Sequence, residues 1–178
     1  MMHEFKSPLF GHYLAHWHSL CPPSGIPTTE DYMDHMDPKI AAFLMIFDVL
    51  AQDVTVRFQG NGIGERRQLE QAGRSWFVTN PHLNALSVVA NIWQAVRQPC
   101  GLWTEATFVT NVQRRLRVEA LTLPLRVKGA RPARIVNLSI GLDSMDFDER
   151  AMGWHGNIAI GWHDLGFGVP KSDTLPVN

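Results

Sequence analysis

The segment 116–127 constrains the fold of this chain more than any other part of the sequence. Its apolar residues occupy both sets of alternating positions, with Ala120, Thr122 and Pro124 on one side and Leu121, Leu123 and Leu125 on the other. Successive side chains of a strand point to opposite faces of a sheet, so a strand that is apolar on both sides is covered on both sides. The sequence therefore predicts a central strand with material packed against each face of its sheet.

Four further segments have the character of strands. Residues 43–50 form an apolar run, and residues 54–58 alternate apolar with polar side chains. Residues 102–110 are rich in β-branched and aromatic residues, and 134–142 carry apolar residues at alternate positions. The linkers between the later segments contain turn residues that suit antiparallel connections. Two strands, a helical insert and a three-stranded meander predict an α+β fold with a five-stranded antiparallel sheet.

Helices are predicted on both sides of the first two strands. Leu14, Trp17 and Leu20 give residues 11–20 one apolar stripe, and Asp37 before Pro38 is a helix start. We expect the glycines at 60, 62 and 64 to form a turn, because they lack the spacing of a dinucleotide-binding loop. A short helix over 65–72 and a long helix opened by Asn80-Pro81 follow. The insert covers one face of the sheet, and the N-terminal helix or a second subunit covers the other.

Composition limits the class of protein. A chain of 178 residues with 45% hydrophobic and 19% charged residues is expected to form one globular domain. We divide it into an N-terminal helix and linker (1–36), a main domain (37–142) and a C-terminal extension (143–178). Two cysteines cannot form a disulfide framework, and no segment approaches the roughly 20 apolar residues of a membrane span. We expect a soluble cytoplasmic protein with no membrane partner.

Charge is segregated along the chain. Residues 61–140 hold eleven Lys or Arg against four Asp or Glu, whereas the segments on either side are acidic. Four arginines of this basic block are our candidate surface for an acidic protein partner: Arg114, Arg115, Arg117 and Arg126. A net charge of −1 argues against a nucleic-acid partner. Binding of nucleic acid through the face 114–134 stays an alternative.

Several short motifs, taken in order, resemble those of a PAS domain, and specifically the single-PAS family typical of alphaproteobacteria. They are the Trp17 helix leading into Pro23–Pro27, Asp37-Pro38, Val56–Gly60, Ala72–Arg74 and Glu119–Leu125. The resemblance covers roughly residues 15–142. It implies a PAS-like fold and a sensory or interaction domain, without catalytic chemistry, that binds a small molecule or a protein partner. We expect signalling through protein–protein contacts and a homodimer formed through the outer sheet face and the Trp17 helix.

Aromatic residues are the main candidates for a ligand site. In this layout they converge between the sheet and the long helix, where they form either an apolar pocket or a filled core: Phe58, Trp76, Phe77, Trp93, Trp103 and Phe108. His82, Asn91, Arg57 or Thr104 supply the polar groups of such a pocket. The predicted ligand-binding set is Phe58, Trp76, Phe77, His82, Trp93 and Trp103, and the sequence names no cofactor.

Other chemistry has weaker support. An enzyme would need an acid and a base in the pocket, and Asp48 with His82 is the only combination that we can propose. His12 with His16, which have His18 and Cys21 nearby, and His155 with His163 are candidate metal pairs. The first pair lacks the glutamate of the H-E-x-x-H motif of metalloproteases. Cys100 lacks the surroundings of a reactive cysteine. The tail repeats Gly-Trp-His at 153–155 and 161–163, and we expect it to pack as an extended arm on this sheet or on a neighbouring subunit.

Overall fold

The structure is a computed structural model that describes residues 4–81, 83–127, 134–146 and 148–171, apart from the side chains of residues 157 and 158. Within these residues the elements follow the order α1 (Leu9–Ser19), α2 (Thr29–Asp34), α3 (Pro38–Ala41), β1 (Leu44–Val49), β2 (Val54–Gln59), α4 (Asn61–Arg67), α5 (Trp76–Thr79), α6 (Ala85–Arg97), β3 (Cys100–Thr110), β4 (Arg115–Leu125), β5 (Arg134–Gly141) and β6 (Ala151–Asp164).

The described strands form one antiparallel sheet in the order β2-β1-β5-β4-β3-β6. Two strands, the helical insert α4–α6 and the meander β3-β4-β5 reproduce the predicted PAS-like α+β fold, and the pairing of β5 with β1 completes its sheet. The C-terminal segment adds a sixth strand, because β6 pairs with β3 from Cys100 opposite Asp164 to Thr110 opposite Ala151. The tail therefore packs on its own sheet.

Both faces of the sheet are covered within the chain. Leu44 and Ile46 of β1 belong to a core that includes Tyr13 and Trp17 of α1, whereas Met45 belongs to a second core with α6. The alternation of β1 and β4 thus separates two apolar layers, as the doubly apolar strand predicts. Of the two covers that the sequence allows for the second face, the structure shows the N-terminal helix.

This arrangement buries the side of the Trp17 helix that faces the sheet, and the expected homodimer stays a prediction. Trp17 is fully buried, and its Nε1 donates a hydrogen bond to the carbonyl of Pro124 at 3.0 Å. The outer sheet face is covered by α1 of the same chain, and His12 and His18 lie on the exposed side of that helix. Among the described helices, none combines the length and apolarity needed to cross a bilayer.

The glycine run after β2 begins a helix and is not a turn. A Cβ atom on Gly60 would lie 2.2 Å from the carbonyl oxygen of Ala41, so only glycine allows this close approach to α3. Helix α4 runs from Asn61 to Arg67, and its C-cap Gln68 has a left-handed φ of 50°. The predicted helix over 65–72 is therefore displaced toward the N-terminus, because packing against α3 determines where α4 begins.

The long helix starts later than Asn80-Pro81 predicts. Asn84 is its N-cap, and the side chain of Asn84 accepts a hydrogen bond from the amide of Ser87 at 3.2 Å. Asn80 instead ends α5: its Nδ2 donates to the carbonyl of Trp76 at 2.9 Å, and the residue is fully buried. Buried polar contacts of Asn80 override its preference for the N-cap position.

Candidate functional site

A cavity of about 400 Å³ lies between the sheet and the helical insert. This volume is within the range of small-molecule sites, about 300–1,000 Å³. Its apolar walls come from all six described strands and from α5 and α6: Met45, Phe47, Val54, Trp76, Val88, Ile92, Leu102, Phe108, Leu116, Val118, Ala120, Ile135, Trp154 and Ile160. The lining is predominantly aliphatic and aromatic, which suits the apolar part of a ligand.

Helix α4 brings one charged side chain into the wall. Arg67, in the last turn of α4, lines the cavity and is only 7% exposed. Its Nη2 donates to the carbonyl of Thr79 at 3.2 Å and to Oδ1 of Asn80 at 3.4 Å. Its guanidinium carbon lies 5.3 Å from the ring centre of Trp76 and 5.9 Å from that of Phe108. The close approach permitted by Gly60 holds the start of α4, the helix that carries Arg67, against α3.

The charge of Arg67 is incompletely compensated. Its Nε and Nη1 are buried without a hydrogen-bond partner among the described residues, and none of the described carboxylates forms an ion pair with it. Burial lowers the pKa of Arg67 to about 10, so the group stays protonated at neutral pH. The two neighbouring rings make cation–π contacts with the guanidinium, and these contacts offset part of the free-energy cost of burying its charge.

Uncharged polar groups line the cavity as well. Asn91 of α6 is 3% exposed, and its Oδ1 has no hydrogen-bond partner among the described residues. Across the cavity, Asn137 of β5 donates to the hydroxyl of Thr122 at 2.8 Å. A ligand that carries a hydrogen-bond donor could satisfy Asn91, whereas Asn137 and Thr122 already satisfy one another.

The predicted aromatic residues divide between the two faces of the sheet. Trp76 lines the cavity, whereas Phe77 and Trp93 pack against the same apolar layer without lining it. Trp103 lies in the α1 layer and donates from Nε1 to the carboxylate of Glu119 at 3.0 Å. Phe58 also packs against the α1 layer. His82, the remaining predicted ligand residue, falls outside the described residues.

Strand geometry explains the positions of Trp103 and Phe58. Phe108 faces the cavity, and Trp103 is an odd number of residues away in the same strand, so the two rings point to opposite faces. In β2 the register shifts between Val56, which pairs with Phe47, and Phe58, which pairs with Ile46. This β-bulge directs Phe58 away from the side that Val56 faces.

The predicted polar residues also separate. Asn91 and Thr104 line the cavity, whereas Arg57 is exposed and lies 3.6 Å from the carboxylate of Asp48. Asp48 itself accepts from Nε of Arg134 at 2.5 Å and does not line the cavity. The structure therefore keeps Asp48, the proposed acid of an enzyme, outside the candidate site.

The four arginines of the proposed partner surface do not share one face. Arg114 forms an ion pair with Glu149, and Arg117 forms one with Asp143 at 2.9 Å. Arg115 is exposed beside them. Arg126 lies past the opposite end of β4, roughly 36 Å from Arg115 at the usual rise of a strand. The structure thus separates Arg126 from the other three arginines, and their role in binding an acidic partner stays a prediction.

The candidate histidine pairs form no metal site among the described residues, and the two cysteines lie away from the cavity. Among the described residues, no three His, Cys, Asp or Glu side chains cluster as a metal ion would require. His16 stacks edge-on against Tyr32 with ring centres 5.2 Å apart, and His12 is exposed. His163 is buried near Phe5, and His155 is exposed at the cavity. Cys21 and Cys100 are both unpaired and line no part of the cavity.

Sequence reasoning missed most of the cavity wall, including Arg67, Trp154 and Ile160. An arginine in a helix, such as Arg67, is usually exposed to solvent. Trp154 and Ile160 lie in a glycine-rich tail that forms β6. The repeated Gly-Trp-His motif was a signal that the tail packs somewhere, although it did not indicate this wall.

Comparison with solved structures finds proteins described as LOV domains. A fungal LOV-domain photoreceptor is 16% identical over 76% of this chain and 92% of its own, with a TM-score of 0.47. The LOV protein of Rhodobacter sphaeroides is 14% identical over 60% of this chain and 69% of its own, with a TM-score of 0.44. No protein-family model and no curated protein matches the chain. The strand order and the helical insert define the chain as a protein of PAS-like α+β fold with a cavity beneath the insert.

Proposed function

We propose that this chain is a non-enzymatic sensory domain, of the single-PAS kind found in alphaproteobacteria, that binds a small molecule in the cavity beneath α4–α6. The observation that carries this proposal is the cavity itself, which combines apolar walls with two buried side chains, Arg67 and Asn91, whose hydrogen-bonding capacity is incompletely used. Buried polar groups without partners cost free energy, and a ligand that pairs with them recovers it.

We further propose that the domain acts as a homodimer through protein contacts. Arg115 is exposed near the paired Arg114 and Arg117, and this end of β4 is our candidate surface for an acidic partner, with Arg126 as a separate basic position. The two unpaired cysteines support a reducing compartment such as the cytoplasm.

Native mass spectrometry of the purified protein, compared with its denatured mass, tests ligand retention and subunit number together. We expect a dimer with excess mass that is lost on denaturation. A monomer would contradict the proposed dimer, and it would leave the cavity to be tested by the dye experiment below.

Two substitutions in α6 test the cavity directly. Ser87 lines the cavity, whereas Ala90 in the same helix is exposed. Ser87→Trp should fill the cavity and weaken binding of the neutral apolar dye N-phenyl-1-naphthylamine by about tenfold or more, whereas Ala90→Trp should bind it like the wild type. Fluorescence titration measures both affinities. Equal affinities in the two variants, or no saturable binding to the wild type, would contradict the proposed function.

A further inference from the structure

Positive charge exceeds negative charge in the cavity wall. The charged side chains that line it are Arg66, Arg67, Arg117 and Asp143. Arg117 and Asp143 pair with one another at 2.9 Å. Arg66 and Arg67 form no ion pair with any described carboxylate, so the paired residues leave two uncompensated cations in the wall.

Arg67 is the more deeply placed of the two cations. The residue is more than nine-tenths buried, and its Nε and Nη1 have no hydrogen-bond partner among the residues that the structure describes. Arg66 lies beside it in α4, with its Nη1 close to Gly141 of β5. Burial lowers the pKa of both guanidinium groups. Because the ordinary pKa of arginine lies far above 7, both groups stay protonated at neutral pH. The wall therefore carries a permanent positive charge in a largely apolar setting.

We propose that the ligand of this cavity is a small amphipathic anion, whose acidic group pairs with Arg67 and whose apolar body lies against the surrounding aromatic and aliphatic walls. A planar guanidinium with free N–H groups matches a carboxylate or phosphate group, and such charge-assisted hydrogen bonds are strongest where water is excluded. Trp76 and Phe108 flank the guanidinium and would contact the part of the ligand next to its acidic group. This inference rests on the proposed function and specifies the ligand class.

Two dyes that differ by one charged group test the inference. 8-Anilinonaphthalene-1-sulfonate is an anion, and N-phenyl-1-naphthylamine is its neutral counterpart without the sulfonate. The wild type should bind the anionic dye at least about tenfold more tightly than the neutral dye. Arg67→Met should lower the affinity for the anionic dye by about tenfold and change the affinity for the neutral dye by less than about twofold. Arg74→Met removes an exposed arginine that does not line the cavity, and it should change neither affinity.

The outcomes separate this inference from the proposed function. Two results would overturn the inference of an anionic ligand and leave the proposed binding cavity intact. One is equal affinity of the wild type for the two dyes, and the other is an equal loss of affinity for both dyes in Arg67→Met. Failure of both dyes to bind the wild type would overturn both proposals. If circular dichroism shows that Arg67→Met does not fold, displacement from the wild type decides: decanoate should displace the neutral dye at a concentration about tenfold lower than decan-1-ol, and equal concentrations would refute the inference.

Discussion

Replacing Trp17 by alanine tests whether α1 is an integral cover of the sheet. Trp17 is fully buried in the layer that includes Leu121 and Leu138, and its indole donates a hydrogen bond to Pro124. A tryptophan buries about 150–250 Å², which corresponds to roughly 4–6 kcal/mol at about 25 cal/mol per Å². Large-to-small substitutions of buried aromatic residues cost about 3–5 kcal/mol, so we expect a loss in that range.

Urea unfolding followed by circular dichroism gives the change in free energy of unfolding. Trp17→Phe keeps most of the packing and removes the donor to Pro124, so it should cost about 1–3 kcal/mol. His12→Ala changes an exposed position of the same helix and should cost less than about 0.5 kcal/mol. A cost below about 1 kcal/mol for Trp17→Ala would refute the packing of α1 on the sheet, because the removal of a buried tryptophan cannot be that small.

Two further predictions concern the backbone and pH. Gly60→Ala places a Cβ 2.2 Å from the carbonyl oxygen of Ala41 and should lower the free energy of unfolding in urea by about 3 kcal/mol. Gly11→Ala, where a Cβ has nothing within 4 Å, should instead raise it by about 0.5–1 kcal/mol. Equal effects of the two substitutions would contradict the close approach. Hydrogen bonds from Arg114 lower the pKa of Glu149 from 4.5 to about 2, so its stabilisation is complete above about pH 4.5 and is lost as the pH falls toward 2. Glu149→Gln should therefore lose less stability than the wild type between pH 4.5 and 2, and parallel curves would contradict the ion pair.

Much of the sheet could be predicted because its patterns are local. The alternation of β2, the doubly apolar β4 and the Asp37-Pro38 start of α3 all depend on side chains within a few residues, and the structure confirms each. Asp37 accepts a hydrogen bond from the amide of Lys39, as an N-cap should. Such signals survive in a single sequence because periodicity and capping are set by the segment itself.

The candidate site could be predicted less well because tertiary contacts determine it. The parity of β3 already separates Trp103 from Phe108, and this signal was present in the sequence. The bulge that redirects Phe58 and the burial of Arg67 have no local signature, since each depends on a partner far away in the chain. Likewise, β6 contains glycines at 153, 156 and 161, which weaken its strand propensity, and its long pairing with β3 stabilises it.

Asn80 connects the cavity with the edge of the sheet. Its Oδ1 accepts hydrogen bonds from Nη2 of Arg67 and from the backbone amide of Trp154 in β6, each at 3.4 Å. A ligand can shift a conformational equilibrium only through contacts that differ between two states. An anion that pairs with Nε and Nη1 of Arg67 acts on the same guanidinium whose Nη2 donates to Asn80, so a movement of this side chain toward the anion would change the contact between Oδ1 and the β6 amide. If the domain signals as proposed, we therefore expect β6, an edge strand of the described sheet, to respond first to the ligand.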